Sequence, residues 1–253
     1  MQEIIKQKLA SIESDNHIRI LYSCESGSRG WQFPSPDSDY DVRFIYVQPF
    51  DKYLAVTDPA DQIGFPINDE LDIYGWDIRK VLQLMRKSNT TPFEWLQSPV
   101  IYREVSGFRD ELWQLCQGYF DQRSNIHHYL GIARGALESM TGNNEIGIKK
   151  LFYVLRPLLA AKWCLEKETI APMSIGPLLT LMPADLQVMV KELIRQKSTA
   201  SEKFIVSIDQ RLKEYIDREY DVCMQSSSNL SRKETETEPL NIFFRKTIKT
   251  SNQ

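Results

Sequence analysis

The chain has 253 residues, 42% hydrophobic and 26% charged, which suits a substantial core in one large domain or two small ones. A formal net charge of −3 and a pI near 5.8 argue against a nucleic-acid coat protein or a polybasic membrane surface, and leave room for a local basic groove. No apolar run approaches the ~20 residues of a spanning helix, and the opening MQEIIKQKLA is amphipathic rather than a signal peptide, so a cytoplasmic location is expected. Cys24, Cys116, Cys164 and Cys223 are widely spaced with no CxxC pair, which reads as buried free thiols rather than a zinc site or a disulfide framework.

Ile4, Ile5, Leu9 and Ile12 recur at helical spacing, and His17 to Tyr22 then reads as a strand. Glu25 to Ser38 is rich in Gly, Ser and Pro, and Tyr40 to Val47 is a second strand bounded by Gln48-Pro49. Residues 63–67 and 70–76 predict an antiparallel pair turning at Asn68-Asp69. Asp77 suits the N-cap of a helix carrying Ile78, Val81, Leu82 and Met85, with Ser88-Asn89 as its stop and Thr91-Pro92 opening a short helix through Leu96. Apolar stripes over 107–121, 124–141, 145–167, 184–196 and 202–224 predict a helical bundle. Beyond Gln225, SSSNLSRKETETE is polar and aperiodic and predicts a disordered tail, with Leu240 to Phe244 a short apolar patch inside it.

The chemistry gathers between the first two strands. Side chains two apart on a strand share a face, so Asp39 and Asp41 are expected to project together while Tyr40, Val42 and Phe44 point to the other side. Two carboxylates side by side repel unless a cation bridges them; Mg²⁺, or Mn²⁺ in its place, is the expected partner where phosphates also bind. A third carboxylate is expected on a neighbouring strand. Asp72, flanked by Leu71 and Ile73, is the candidate, with Asp77 as the rival that capping explains better. Upstream, Gly27-Ser28 opens a turn whose backbone N–H groups and hydroxyl suit phosphate oxygens. Such a set fits nucleotidyl transfer with two metal ions around the α-phosphate. The reading fails if the aspartyl side chains point apart or if a basic group is seated where the cation belongs.

Gly27-Ser28, ten intervening residues and Asp39-Tyr40-Asp41-Val42 resemble the hG[GS]…Dh[DE]h signature of polymerase-beta-like nucleotidyltransferases. More narrowly, ESGSRGW, SDYDVRFIYV, DIYGWDIRK and KSNTTPFEWLQSP resemble a predicted nucleotidyltransferase family with members associated with RNA ligases in RNA-repair operons. The likeness runs from about Ile18 to about residue 220. Ser26 departs from the apolar residue that precedes the glycine in the broad signature, although Glu25-Ser26 is typical of the narrower family. The resemblance implies Mg²⁺ ligation by Asp39, Asp41 and Asp72, a phosphate-binding role for Ser28, and RNA ends as the leading acceptor.

Further residues have competing readings. Arg29 suits triphosphate contact and an ion pair equally. Lys87 and Asn89 are candidates for the cleft; Glu94 and Trp95 are weaker ones, with a core place favoured for Trp95. His127-His128 face different ways on a helix, and Lys149, Lys150, Tyr153 and Arg156 read first as ordinary helix-face residues.

The expectation is therefore an α+β protein. A small mixed-sheet nucleotidyltransferase domain, binding metal and phosphate, spans 1–105, a helical domain spans 106–225, and a disordered tail spans 226–253. The nucleotide is expected between the first two. The expected reaction moves a nucleoside monophosphate from an NTP to a hydroxyl, with catalysis by Asp39, Asp41 and Asp72 and nucleotide contacts from Gly27, Ser28, Arg29 and Lys87. Alternatives are a nucleotide-binding regulator or toxin–antitoxin component, and nucleotidylation of a protein partner.

Overall fold

Alternation of apolar and polar residues after Asp39 builds the central strand, and a mixed sheet grows to either side of it. The computed structural model describes residues 1–65, 70–138, 145–201 and 203–251. It comprises two units, neither continuous in sequence: Met1–Gly30, Asp39–Tyr119 and Glu234–Gln253 form the first, and Trp31–Ser38 with Phe120–Lys233 form the second.

In the first unit, α1 (Gln2–Asp15) precedes β1 (Arg19–Glu25), α2 (Gly27–Gly30) and β2 (Tyr40–Val47). After α3 (Phe50–Tyr53) come β3 (Gln62–Gly64), β4 (Leu71–Asp77), α4 (Ile78–Arg86), α5 (Thr90–Leu96), β5 (Ile101–Glu104) and α6 (Phe108–Gln117). The five strands lie in the order β3-β4-β2-β1-β5. Among the described residues of this sheet, only the β2–β4 pair is parallel. Ile5, Leu9 and Ile12 of α1 pack with Ile20, Val42, Phe44, Tyr46 and Ile73, so the apolar half of the β2 alternation is buried on one face. Gly75 permits that packing, since a Cβ there would lie 2.2 Å from the Phe44 ring. The β3–β4 antiparallel pair was expected; its expected turn at Asn68-Asp69 falls outside the described residues.

The second unit contains α7 (Gln122–Leu137), β6 (Glu145–Gly147), α8 (Ile148–Lys167), α9 (Ile175–Leu179), α10 (Ala184–Lys197), β7 (Ile205–Ser207) and α11 (Gln210–Ser228). Its core is aliphatic along α8 and takes in Phe33, which stacks on Phe152 at 4.9 Å, while Trp31 meets Tyr153 edge-on at 5.3 Å. The Gly-Ser-Pro connector, expected as a loop of the sheet domain, thus belongs to the helical unit. Lys197, fully buried, donates to Ser35 Oγ at 2.8 Å and holds the same connector. Two stretches expected as helix are strand: Glu145–Gly147 pairs with Ile205–Ser207, and α11 starts only after the Asp209 cap, whose side chain accepts from Arg211 N.

The tail differs most from expectation. Where disorder was read from 226 onward, α11 continues to Ser228 and α12 (Glu238–Ser251) is a helix of the first unit. Leu240, Phe243, Thr247 and Ile248 are its buried stripe, at the i, i+3, i+7, i+8 spacing of an amphipathic helix. The polar stretch before it is captured by side chains: Asp121 Oδ2 accepts from Lys233 N at 2.7 Å, and Tyr119 donates to Glu236 O at 2.8 Å. All four cysteines are buried and none is in a disulfide, and burial pushes the Cys24 thiol up to about 12. No helix among the described residues is long and apolar enough to cross a membrane.

Candidate active site

Parallel pairing of β2 and β4 sets Asp41 opposite Asp72 and Arg43 opposite Tyr74. Like charges directly across two strands destabilise a sheet unless compensated. Here Arg43, two residues beyond Asp41 on the same strand face, supplies the compensation. Its Nη2 donates to Asp41 Oδ1 at 2.8 Å and to Asp72 Oδ2 at 2.7 Å. Its Nη1 donates to the carbonyls of Val42 at 3.1 Å and Asp72 at 2.9 Å, and the guanidinium lies 4.1 Å from the Tyr74 ring centre. The arginine side chain is 9% exposed, against 27% for Asp41 and 22% for Asp72.

The turn after β1 is bound to the same aspartate. Ser26 N donates to Asp41 O and Glu25 Oε1 accepts from Asp41 N, both at 2.8 Å. Gly27 follows with φ +56°, and a Cβ on it would lie 1.9 Å from Asp41 Oδ2. Only glycine takes both that conformation and that contact without strain, so the signature glycine is the seat of the Asp41 carboxylate. Glu25 is itself buried, with Tyr102 donating to its Oε2. Burial raises its carboxyl above the usual range against the lowering effect of these hydrogen bonds.

Gly27, Asp41 and Asp72 therefore converge. Ser28 is buried in α2 beside Gly27. Asp39 precedes β2, is exposed, and gives its carbonyl to Arg29 Nε at 3.1 Å; Arg29 also lies 4.0 Å from the Tyr40 ring centre. Lys87, at the C-cap of α4, is exposed, and its side chain makes no hydrogen bond or ion pair among the described residues. Asp77 is used elsewhere: it caps α4 through Arg79 N at 2.8 Å and accepts from Tyr53 at 2.7 Å and Gln48 at 3.2 Å. Trp95 stacks on Trp76 at 4.3 Å and is buried. In the second unit, Arg156 is buried and donates to Met173 O, which makes it a structural residue of that core.

Arg43 is a basic group on the face where a cation was expected, and the sequence pattern had given it no role, although period-two spacing from Asp41 places it there. Among the described residues no three His, Cys, Asp or Glu side chains are grouped to hold a metal ion. The donors are hard carboxylate oxygens of the kind Mg²⁺ or Mn²⁺ takes, but Arg43 Nη2 holds Asp41 Oδ1 and Asp72 Oδ2, so an ion would have to be met by the other oxygens of the pair. Glu25 and Tyr102 are the other site residues left unassigned from sequence; the quoted Glu25-Ser26 pair was the available signal.

A family model described as the RNA repair pathway DNA polymerase beta family matches residues 1–246, nearly the whole chain. The chain belongs to that family. Membership in this polymerase-beta-like nucleotidyltransferase group extends over both units and most of α12. A relative, the protein YcgL of Bacillus subtilis (strain 168), is 36% identical over 251 residues, covering 98% of this chain and 96% of its own length. Among solved structures, a nucleotidyltransferase-like protein from Exiguobacterium sibiricum 255-15 is similar at 13% identity, covering 88% of this chain and 75% of its own, with a TM-score of 0.31.

Proposed function

We propose that this family member transfers a nucleoside monophosphate from an NTP to a hydroxyl acceptor, with an RNA end as the acceptor class, and that Asp41 and Asp72 form the reacting face. The supporting observation is their direct opposition on β2 and β4 with Gly27 closed over Asp41. In the reaction the acceptor oxygen bonds to the α-phosphorus, the bond to the β-phosphate oxygen breaks, and pyrophosphate leaves. The acceptor proton passes to a carboxylate of this face or, through it, to water.

Asp41 and Asp72, joined by Asp39 just before β2, are the residues that would hold Mg²⁺ or Mn²⁺. Bound there, divalent ions supply Lewis-acid stabilisation of the entering and leaving oxygens. The protein's part is orientation: the β2–β4 register fixes the two carboxylates, Glu25 fixes the Asp41 backbone, and the Gly27-Ser28 turn is the segment that would offer its N–H groups and hydroxyl to phosphate oxygens. Arg29, beside Asp39, is the triphosphate contact in this reading, and Lys87 a second.

The test is incubation of the full chain with each α-labelled NTP, Mg²⁺ and RNA of defined ends, scoring label transfer and pyrophosphate together. Transfer lost in Asp41→Asn and Asp72→Asn, both folded by circular dichroism, is the expected result. Binding of NTP without pyrophosphate release overturns the enzyme reading in favour of a nucleotide-binding regulator. Label moving to protein instead of RNA overturns the acceptor class alone.

A further inference from the structure

We infer that Arg43 is the built-in counter-ion of the Asp41–Asp72 pair, and that it makes divalent-metal loading depend on nucleotide. The inference rests on the transferase reading, and it concerns how the same site fills.

A guanidinium within hydrogen-bond distance of both carboxylates leaves the trio with one negative charge instead of two. Coulombic attraction for a divalent ion falls in proportion. The arginine is also fixed. Four hydrogen bonds, two of them to backbone carbonyls, and the Tyr74 ring beneath hold it in place, so a swing into solvent would strip charge-assisted bonds and uncover buried acceptors together. It therefore acts as a standing charge rather than an occupant that metal readily displaces.

Two consequences follow. The carboxylates stay aligned without metal, because Arg43 removes the repulsion that their register imposes. A bare cation meets a weakened field, whereas a cation that arrives with a triphosphate brings or finds the missing negative charge. Arg43 is thus a positioning residue whose signature is a coupling between two ligands.

The experiment measures Mn²⁺ bound to the full-length protein by electron paramagnetic resonance, without nucleotide and with each of the four NTP analogues carrying a methylene bridge between the α and β phosphorus atoms. Binding to the free analogue is subtracted. Wild type is expected to bind Mn²⁺ weakly alone and at least about tenfold more tightly with an accepted analogue. Arg43→Gln is expected to bind Mn²⁺ alone about tenfold more tightly than wild type, and Arg43→Lys, which keeps the charge, to stay near wild type. Equal wild-type affinity with and without every analogue overturns the inference, and needs no variant that might misfold. Arg43→Gln binding no more tightly than wild type, while retaining its folded spectrum, overturns it as well. If wild type binds no Mn²⁺ even with the analogues, the transferase reading fails along with it; tight binding that ignores nucleotide sinks the role of Arg43 alone.

Discussion

Strand β4 carries one carboxylate near its start and another at its end, and the protein treats them in opposite ways. Asp77 is 2% exposed and surrounded by neutral donors, the Arg79 amide, the Tyr53 hydroxyl and the Gln48 amide, and burial raises its carboxyl above the usual range. Asp72 is about a fifth exposed and faces another carboxylate across a fixed guanidinium. Asp77 has its hydrogen-bonding capacity spent on closing a helix; Asp72 sits in a charged group open to solvent. Sequence position, five residues apart on one strand, does not separate these roles, but partner type does.

The largest expected difference between the two is in turnover. Asp72→Asn should lower nucleotidyl transfer by at least about a hundredfold, as loss of a group acting on transition-state charge does, while Asp77→Ala should lower it far less; comparable losses in label-transfer rates would erase the contrast. Gly27→Ala comes next: with φ +56° and the Asp41 carboxylate in the path of a Cβ, it should destabilise the chain by about 1–3 kcal/mol in urea unfolding and reduce transfer as Asp41 shifts. Full activity and stability would show that the glycine seat is dispensable.

Stability should reverse the order expected for activity. Asp77→Ala is expected to cost about 1–2 kcal/mol from the lost cap, whereas Asp72→Asn, which keeps an acceptor for Arg43 and removes the like charge opposite Asp41, should cost less than about 1 kcal/mol. The smallest effect is pH-dependent. Because burial raises the Glu25 carboxyl, the stability tied to its protonated form is fully present below the ordinary value of 4.5 and is lost as pH rises through the folded value. Glu25→Gln cannot ionise, so its stability relative to wild type should climb across that window; unfolding curves at a series of pH values check it, and a flat difference rejects it.

Much of the first unit could be read in advance because its signals are local. Tyr40 to Val47 has the strand alternation, Asp77 the capping position, and Gly27-Ser28 with Asp39 and Asp41 the spacing of a known signature. The opposition of Asp41 to Asp72 required parallel register between strands separated by more than twenty residues, which no local pattern encodes. Arg43 shares the Asp41 face by period two, but that it also meets Asp72 follows only from the β2–β4 register. The α12 stripe was also present in Leu240, Phe243, Thr247 and Ile248, but the polar stretch before it masked a helix whose backbone is anchored by distant side chains. The β6–β7 pair involves three-residue strands about sixty residues apart, too short for any periodicity to announce.

The interleaving of the two units decides how the gene can be cut. A stop codon after Tyr119 would leave Trp31 and Phe33 without the aromatic neighbours they pack on, and would also delete α12, whose Leu240 and Phe243 are buried in the first unit. The first unit is therefore not expected as a well-behaved fragment by simple truncation; a permuted gene that fuses α12 ahead of α1 and replaces the 31–38 excursion with a short linker is the form expected to fold alone.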